Sequence, residues 1–224
     1  MFEDLKNSID FFLSNTTRFS RKNFIEKNPK IIERTQSEND YTFDILSRYL
    51  KPTTKPNIKS LDIGSKNWFY AKGEYRFLNN FSNDFILDGV ELDAYRLYIN
   101  FYSRFETAKF HIKELKNTNY IAGNLLDINK KYDYIFWFLP FVFIEPLVKW
   151  KLPKRYFCPE KLLEHAYSLL EKAGQMLIIN QGELEADEQK KLLEKLSIPY
   201  QYLGEIQSSY FEYKHKRFGF LVQK

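Results

Sequence analysis

The chain has 224 residues, of which 44% are apolar and one is cysteine, and its formal net charge is +5. This length suffices for one well-buried core but is short for two independent domains, and the single cysteine, Cys158, excludes an internal disulfide framework or a cysteine-rich metal site. No segment approaches the roughly 18 to 20 uncharged apolar residues that cross a bilayer, and residues 1–13 carry acidic groups where a secretion signal carries basic ones, so we expect a cytoplasmic protein without a membrane partner.

The positive charge is compatible with a nucleic-acid partner, but lysine is abundant along the whole chain. Charges distributed in this way usually form solvated faces. The charge alone therefore does not identify a partner, and we favour a small-molecule substrate over a nucleic acid.

Residues 1–55 are predicted to be helical, because apolar side chains recur among charged ones. These apolar residues are Phe11, Phe12, Ile25, Ile31, Ile32, Phe43, Ile45 and Leu46. Two prolines within residues 51–57 then break the pattern and indicate a linker. We therefore divide the chain into an N-terminal helical extension, residues 1–55, and a main domain, residues 56–224. The extension is placed to cover a ligand or to contribute to an acceptor pocket.

Strands and helices alternate in the first half of the main domain. Strands are predicted to start at Ile58 and to cover residues 85–91, 119–122 and 132–139, and a helix is predicted over residues 69–78. Asp93 is predicted to cap a long helix in which Leu97, Phe101, Phe105, Ala108, Ile112 and Leu115 recur at helical spacing. The nearly continuous apolar character of residues 132–139 suits a sheet that is covered on both faces.

The second half ends differently. Pro159 is predicted to begin a helix that runs to Leu170 and is terminated by Gly174. A fifth strand over residues 175–180, a helix over 183–196, and strands over 200–206 and 217–222 follow, with a continuation of the sixth strand to Tyr213 left open. The last two strands alternate and are joined around residues 214–216, which predicts an antiparallel hairpin.

Two predicted strand ends combine an acidic residue with a glycine. The first strand ends in Asp62-Ile63-Gly64 and the second in Gly89-Val90-Glu91. In a parallel α/β sheet, ligands lie beyond the carboxyl ends of the strands, where glycine lets the backbone approach and a carboxylate can accept from both ribose hydroxyls. Taken alone, Asp62 could cap a helix and Gly64 could make a tight turn. Together with Glu91 they favour a nucleoside pocket.

These motifs resemble those of the class I S-adenosylmethionine-dependent methyltransferases, and Gly123-Asn124 after the third strand extends the resemblance over most of the chain beyond residue 55. Lys66 and Trp68 stand where many members of that family carry further glycines. The resemblance implies a Rossmann-like α/β fold with a mostly parallel seven-stranded sheet, helices on both faces and a C-terminal antiparallel strand. It also implies S-adenosylmethionine (SAM) as cofactor and methyl transfer to a small-molecule or nucleic-acid acceptor.

The same resemblance assigns the cofactor contacts. Asp62, Gly64 and Ser65 would meet the amino-acid portion, Glu91 the ribose and Leu92 the adenine, while Asn124 and Leu125 would bond to the adenine and Phe138 would line the methyl end. Asp127 is an uncertain neighbour that equally suits the cap of a turn.

The acceptor side is predicted to be aromatic. The fourth strand ends in residues 137–141, Trp-Phe-Leu-Pro-Phe, which lack the polar side chain that holds an amine in amine-directed relatives. Such a wall suits a planar ring or a cation, although Phe136 and Phe138 are equally typical of a sheet core. We assign Phe141 and Trp150 to substrate binding. The basic run around Trp150, residues 149–156, is either a recognition loop for a phosphate-bearing or acidic acceptor or a solvated loop.

No catalytic residue is identified, because methyl transfer depends strongly on alignment of the reactants. Glu145, Glu183 and His111 are candidate bases if the acceptor must lose a proton. A nicotinamide dehydrogenase is excluded because its fingerprint requires glycine at Lys66 and Phe69, and a polyamine synthase would carry acids beside the fourth strand. The remaining alternative is a catalytically inactive methyltransferase-like protein that binds RNA through the basic run.

Overall fold

A computed structural model describes residues 29–98 and 101–224, so the predicted helical character of residues 1–28 lies outside the described part of the chain. The helices are α1 Pro29–Tyr49, α2 Ala71–Asn79, α3 Arg104–Ile112, α4 Ile144–Lys149, α5 Pro159–Leu169 and α6 Gly182–Lys195. The strands are β1 Ile58–Ile63, β2 Phe85–Glu91, β3 Thr118–Ala122, β4 Tyr132–Phe138, β5 Leu170–Gln181, β6 Tyr200–Ile206 and β7 Arg217–Gln223. Leu125–Asp127 and Lys154–Tyr156 form 3₁₀ turns.

The strands form one sheet in the order β3-β2-β1-β4-β5-β7-β6. The strands β1 to β5 are parallel to one another, and β7 is antiparallel to both β5 and β6. The predicted mostly parallel seven-stranded sheet with a C-terminal antiparallel strand is confirmed. The chain changes direction across the sheet between β1 and β4, and this switch point is where open α/β sheets bind ligands.

Helices cover both faces of the sheet. On one face Tyr41, Ile45 and Leu46 of α1 join Phe77 and Leu78 of α2 in a buried cluster. On the other face Leu163 and Ala166 of α5 and Leu192 and Leu193 of α6 pack in a second cluster. None of the helices within residues 29–98 and 101–224 is long and apolar enough to cross a membrane. The division of the chain at residue 55 stays a prediction.

Polar contacts also join α1 to the segment that follows β1. The amide nitrogen of Asn39 donates to the carbonyl of Phe69 at 2.9 Å, and its amide oxygen accepts the N–H of Gly73 at 2.7 Å. A Cβ at Gly73 would lie 2.4 Å from the Asn39 carbonyl oxygen. Only glycine therefore allows α1 and α2 to approach this closely.

The long helix predicted after Asp93 is wrong. The helix α3 begins at Arg104, and Ser103 caps it in a reciprocal capping box with Glu106. Asp93 instead pairs with Arg96 in the segment before the helix and with Arg104, the first residue of α3. The helical spacing extended the prediction too far towards the N-terminus, because the pattern Ser-x-x-Glu at residues 103–106 is the stronger signal for a helix start.

The boundary between α5 and β5 was also predicted wrongly. The helix ends at Leu169, and β5 begins at Leu170, which pairs with Tyr132 before an irregularity in the register. Gly174 lies within this irregularity rather than at a helix end, and a Cβ there would be 2.9 Å from the Glu171 carbonyl oxygen. The sixth strand does not continue to Tyr213, because β6 ends at Ile206.

Candidate active site

A cavity of about 870 Å³ opens at the carboxyl ends of the parallel strands, within the range of roughly 300–1,000 Å³ that is typical of small-molecule sites. Its walls come from α1, the turns after β1, β2 and β3, the segment after β4, and the beginning of β7. The predicted site residues that line it are Gly64, Glu91, Leu92, Asn124, Leu125, Phe138, Phe141 and Trp150. The sequence motifs at separate strand ends thus meet in one place.

The turn after β1 keeps a glycine-like backbone with few glycines. Gly64 has a φ of 77°, and a Cβ there would meet no atom within 4 Å, so this position is open towards the cavity. Lys66 and Trp68 have φ values of 52° and 46°. Left-handed conformations cost non-glycine residues about 1 kcal/mol or more. Lys66 and Trp68 therefore adopt the left-handed backbone conformation that glycine favours, although neither is a glycine.

Packing under the turn explains how this shape is held. Trp68 is fully buried, and a Cβ at Gly89 would lie 2.7 Å from its ring and 2.6 Å from the Ser65 hydroxyl. The N–H groups of Gly64 and Ser65 donate to the carbonyl of Val90 at 2.9 and 3.2 Å. These hydrogen bonds join the turn after β1 to β2. The absence of a Cβ at Gly89 leaves the space that Trp68 and Ser65 occupy.

Asp62 and Ser65 do not line the cavity, and both are fully buried beneath the turn. The Ser65 hydroxyl donates to the Asp62 carbonyl at 3.2 Å. The Tyr70 hydroxyl donates to Asp62 Oδ2 at 3.0 Å, and Tyr70 itself does line the cavity. Asp62 can therefore act on a ligand only through its neighbours.

Asp62 and Glu74 form a buried carboxyl pair within hydrogen-bonding reach of each other. Trp68 Nε1 donates to Glu74 Oε2 at 2.8 Å, while Asp62 Oδ1 and Glu74 Oε1 are buried without another donor in the described chain. Burial raises the pKa of Asp62 to about 7 and raises the pKa of Glu74 well above its ordinary value, with the Asp62 charge adding to the rise. A proton retained by such a pair lowers the repulsion between its two carboxyl groups.

Glu91 is buried at the end of β2 and already accepts three hydrogen bonds. The N–H of Lys66 donates to Oε2 at 2.9 Å, the N–H of Asp93 to Oε1 at 2.8 Å, and Arg104 to Oε1 at 3.2 Å. A carboxylate offers about four acceptor positions. One position on Oε2 therefore remains for a ligand hydroxyl, and a second bond requires Arg104 to move.

The turn after β3 presents polar groups to the cavity. The Asn124 amide oxygen accepts the N–H of Leu126 at 3.1 Å and so caps the 3₁₀ turn, which leaves the side-chain NH₂ facing away from this bond. The N–H of Leu125 is the first of the turn and has no partner within it. Leu92, whose side chain is 38% exposed, supplies an apolar surface at the end of the neighbouring strand.

Aromatic rings form the wall beyond β4. Phe138 contacts Tyr70 with ring centroids 5.5 Å apart, and Phe141 contacts Trp150 at 5.3 Å. The Trp150 ring also has Lys66 Nζ at 5.3 Å and the Arg104 guanidinium at 4.4 Å from its centroid. Trp150 thus connects the predicted substrate side to the groups that hold Glu91.

No protein-family model matches the sequence, and no curated protein matches it. Among solved structures, a SAM-dependent methyltransferase from Aquifex aeolicus is similar with a TM-score of 0.55 and 14% identity, over 88% of this chain and 93% of that one. Precorrin-6y C5,15-methyltransferase from Geobacter metallireducens GS-15 has values of 0.52 and 10%, over 83% and 88%. Magnesium protoporphyrin IX methyltransferase from Synechocystis PCC 6803, crystallised with bound SAM, has 0.51 and 12%, over 96% and 94%.

The chain has the class I methyltransferase fold. On this fold the cavity extends further than the sequence motifs indicated. Residues distant from the motifs also line it, among them Arg34, Glu38 and Tyr41 from α1, and Gln181, Glu185, Tyr213 and Arg217 from the last quarter of the chain. No short motif connects these residues, because α1 and β7 lie more than 160 positions apart in the sequence.

The candidate bases named from the sequence do not line this cavity, since Glu145, Glu183 and His111 are absent from its walls. Besides Glu91, the carboxyl groups of Glu38 and Glu185 do line it. Burial raises the pKa of both, and the nearby Arg34 opposes the rise at Glu38. Glu38 and Glu185 are therefore placed to meet a ligand in the cavity.

Proposed function

We propose that this protein is a SAM-dependent methyltransferase that acts on a small-molecule acceptor in preference to a nucleic acid. The observation that carries the proposal is the convergence of Gly64, Glu91 and Asn124 on one cavity at the switch point of the sheet. Three strand ends are needed to bring these residues together, and a nucleoside with an attached amino acid has complementary groups for all three.

Each part of the cofactor has candidate partners in the described chain. The amino-acid portion fits beside Gly64, where the absent Cβ leaves open space. The ribose fits at Glu91, whose Oε2 retains one acceptor position. The adenine fits between Leu92 and the turn that begins at Leu125, with the Asn124 amide able to bond to its edge. Asp62 and Ser65 would contribute indirectly by fixing the turn and Tyr70.

Bound SAM would supply a methyl carbon activated by the positive sulfonium. The task of the protein is then to hold an acceptor atom in line with that carbon and to exclude water. Phe138, Phe141 and Tyr70 give this part of the cavity rigid, apolar walls. Glu38 and Glu185 are available to receive a proton, because their raised pKa values make them better bases than exposed carboxylates.

Calorimetric titration with SAM and with S-adenosylhomocysteine (SAH) tests the proposal, and we expect both to bind. Glu91→Ala should weaken binding by about tenfold or more, because a lost hydrogen bond to a charged acceptor costs roughly 1.5–3 kcal/mol. Asp88→Asn is the matched control, since Asp88 is a buried acid on the same strand that bonds to Lys130, Tyr132 and Asn119 away from the cavity. Equal affinities of the wild type and Glu91→Ala would reject the ribose role.

One observation favours the second candidate function, a methyltransferase-like protein that binds RNA without catalysis. Arg104 occupies part of the acceptor capacity of Glu91, and the basic residues Lys149 and Arg155 line the cavity mouth. In that case neither SAM nor SAH would bind even at millimolar concentration. A single-stranded RNA would then bind instead, with an affinity that falls as salt increases.

A further inference from the structure

The first residue of β7, Arg217, has an unusual position for a cation. It pairs with Gln181 at the carboxyl end of β5. Because β7 runs antiparallel to β5, its beginning lies at the same edge of the sheet as the ends of the parallel strands. Arg217 is only 9% exposed, and it lines the cavity as well as a smaller neighbouring pocket.

The guanidinium has few partners of its own. Its NH1 donates to Gln181 Oε1 at 3.1 Å, and its central carbon lies 4.4 Å from the centroid of the Tyr213 ring. No carboxylate oxygen lies within 4 Å of it among residues 29–98 and 101–224. A buried cation is costly unless it is paired or hydrogen-bonded. Arg217 therefore retains unused donors, and it is one of the residues that line the cavity.

The order of the strands places Arg217 on the acceptor side. The proposed ribose and adenine contacts lie at the ends of β2 and β3, and β7 is four strands away from β2. At about 4.8 Å per strand this separation is roughly 19 Å. The ends of β4 and β5, where an acceptor would meet the methyl group, lie between the two positions.

From these observations, and resting on the proposed methyltransferase function, we infer that the methyl acceptor is an aromatic or otherwise apolar small molecule with a carboxylate that is bound by Arg217. The planar guanidinium matches a carboxylate through two parallel hydrogen bonds. Phe138, Phe69 and Tyr213 provide ring surfaces for the body of the molecule.

The charges around the cavity favour a monoanion over a phosphate. Five basic side chains line the cavity, Arg34, Lys66, Lys149, Arg155 and Arg217, against three acidic ones, Glu38, Glu91 and Glu185. Glu185 and Glu38 both act on Arg217 from beyond ion-pair distance. A phosphate dianion beside these two acids would meet stronger repulsion than a carboxylate of single charge.

The test uses the full chain saturated with SAH and measures binding by calorimetry. The probes are benzoate, phenylacetate and 3-phenylpropionate, which hold a carboxylate at increasing distances from a ring, together with their neutral primary amides and phenyl phosphate. We expect at least one acid to bind about tenfold or more tightly than its amide. Arg217→Gln should remove this preference, and Arg217→Lys should keep part of it.

Lys216→Gln is the matched control, because it removes the same charge one residue away from an exposed side chain that pairs with Glu205. It should leave the preference for the acid unchanged. Equal binding of acid and amide, failure of all three acids to bind, or tighter binding of phenyl phosphate would overturn the inference. If SAH itself does not bind the wild type, the proposed function has failed instead, so the two failures are distinguishable.

Discussion

Asp62 belongs to the first sequence motif but does not line the cavity of the candidate site. Its motif position suggested that it orients the turn and acts on a cofactor through water or backbone, and its carboxyl group is fully buried and bonds to Tyr70. The short path Asp62–Tyr70 leads from the buried carboxyl pair to the cavity wall. A proton held by Asp62 and Glu74 therefore stabilises the turn on which the candidate site is built.

The carboxyl pair predicts a pH dependence of stability. Both folded-state pKa values are raised, so above the ordinary values of 3.8 and 4.5 the folded chain holds a proton that the unfolded chain releases. Stability should then fall as the pH rises from about 4.5 to about 7, by at most roughly 1.4 kcal/mol per pH unit for each proton. In Glu74→Gln the amide can donate to Asp62 without an extra proton, so urea unfolding should show a smaller loss between pH 5 and 7.5.

Glu145→Gln is the control for this measurement, because the Glu145 side chain is exposed. It should follow the wild-type pH profile. A profile of Glu74→Gln that coincides with that of the wild type would show that the pair does not retain a proton.

Two glycines at neighbouring strand ends should respond differently to alanine. A Cβ at Gly89 would press on the Trp68 ring at 2.7 Å, whereas a Cβ at Gly123 would meet no atom within 4 Å. Overpacking of this kind costs about 1–3 kcal/mol. Gly89→Ala should therefore lower the free energy of unfolding by that amount, while Gly123→Ala should leave it unchanged and weaken SAH binding. Equal unfolding midpoints for the two variants would contradict this packing argument.

At the scale of elements, the helix α1 is part of the cavity wall as well as of the core. Its buried face carries Tyr41, Ile45 and Leu46, and Asn39 joins it to the backbone at Phe69 and Gly73. Glu38 and Arg34 extend from the same helix towards the cavity. The position of this part of the cavity wall, which we propose as the acceptor wall, therefore depends on how α1 docks on α2.

Gly73→Ala tests this docking. The new Cβ would collide with the backbone of α1 at Asn39, which is not the end of a flexible side chain, so α1 must shift. We expect a loss of about 1–3 kcal/mol in the free energy of unfolding and a change in acceptor affinity that exceeds the change in SAH affinity. Lys72→Ala, an exposed position on the same helix, is the control and should change neither. Equal losses of affinity for both ligands would argue against a separate acceptor wall.

The sequence predicted most elements because their signals are local. The strand bounds 85–91 and 200–206 agree with β2 and β6, whose apolar patterns are bounded by turn residues. The start of α3 was missed because apolar spacing was weighed above the capping box at Ser103. Arg217 and Glu38 were not predicted as cavity residues, because only the tertiary fold brings α1 and β7 to the same cavity. By contrast, Gly64, Glu91 and Asn124 each follow a strand and are brought together by the parallel order of the sheet.

At the scale of the whole molecule, the cavity has two halves built from different parts of the chain. The proposed cofactor half comes from the turns after β1, β2 and β3, while the proposed acceptor half comes from α1 and the beginning of β7. Both halves lie at the same edge of the sheet, and Phe138 and Trp150 line the cavity between them, at and after the end of β4. Binding of a ligand in one half of the cavity should therefore be detectable without a direct effect on the residues of the other half.

Hydrogen exchange with mass spectrometry tests this division. SAH alone should slow amide exchange in residues 64–68, 91–93 and 124–126, because bound ligand stabilises the segments that it contacts against local opening. Residues 34–41 and 213–217 should change little until an aromatic carboxylate is added, and then they should be protected in the wild type but not in Arg217→Gln. Protection of the second group by SAH alone would show that the halves are not separate. Protection of the first group by the carboxylate alone would place the acid in the cofactor half and contradict the proposed arrangement.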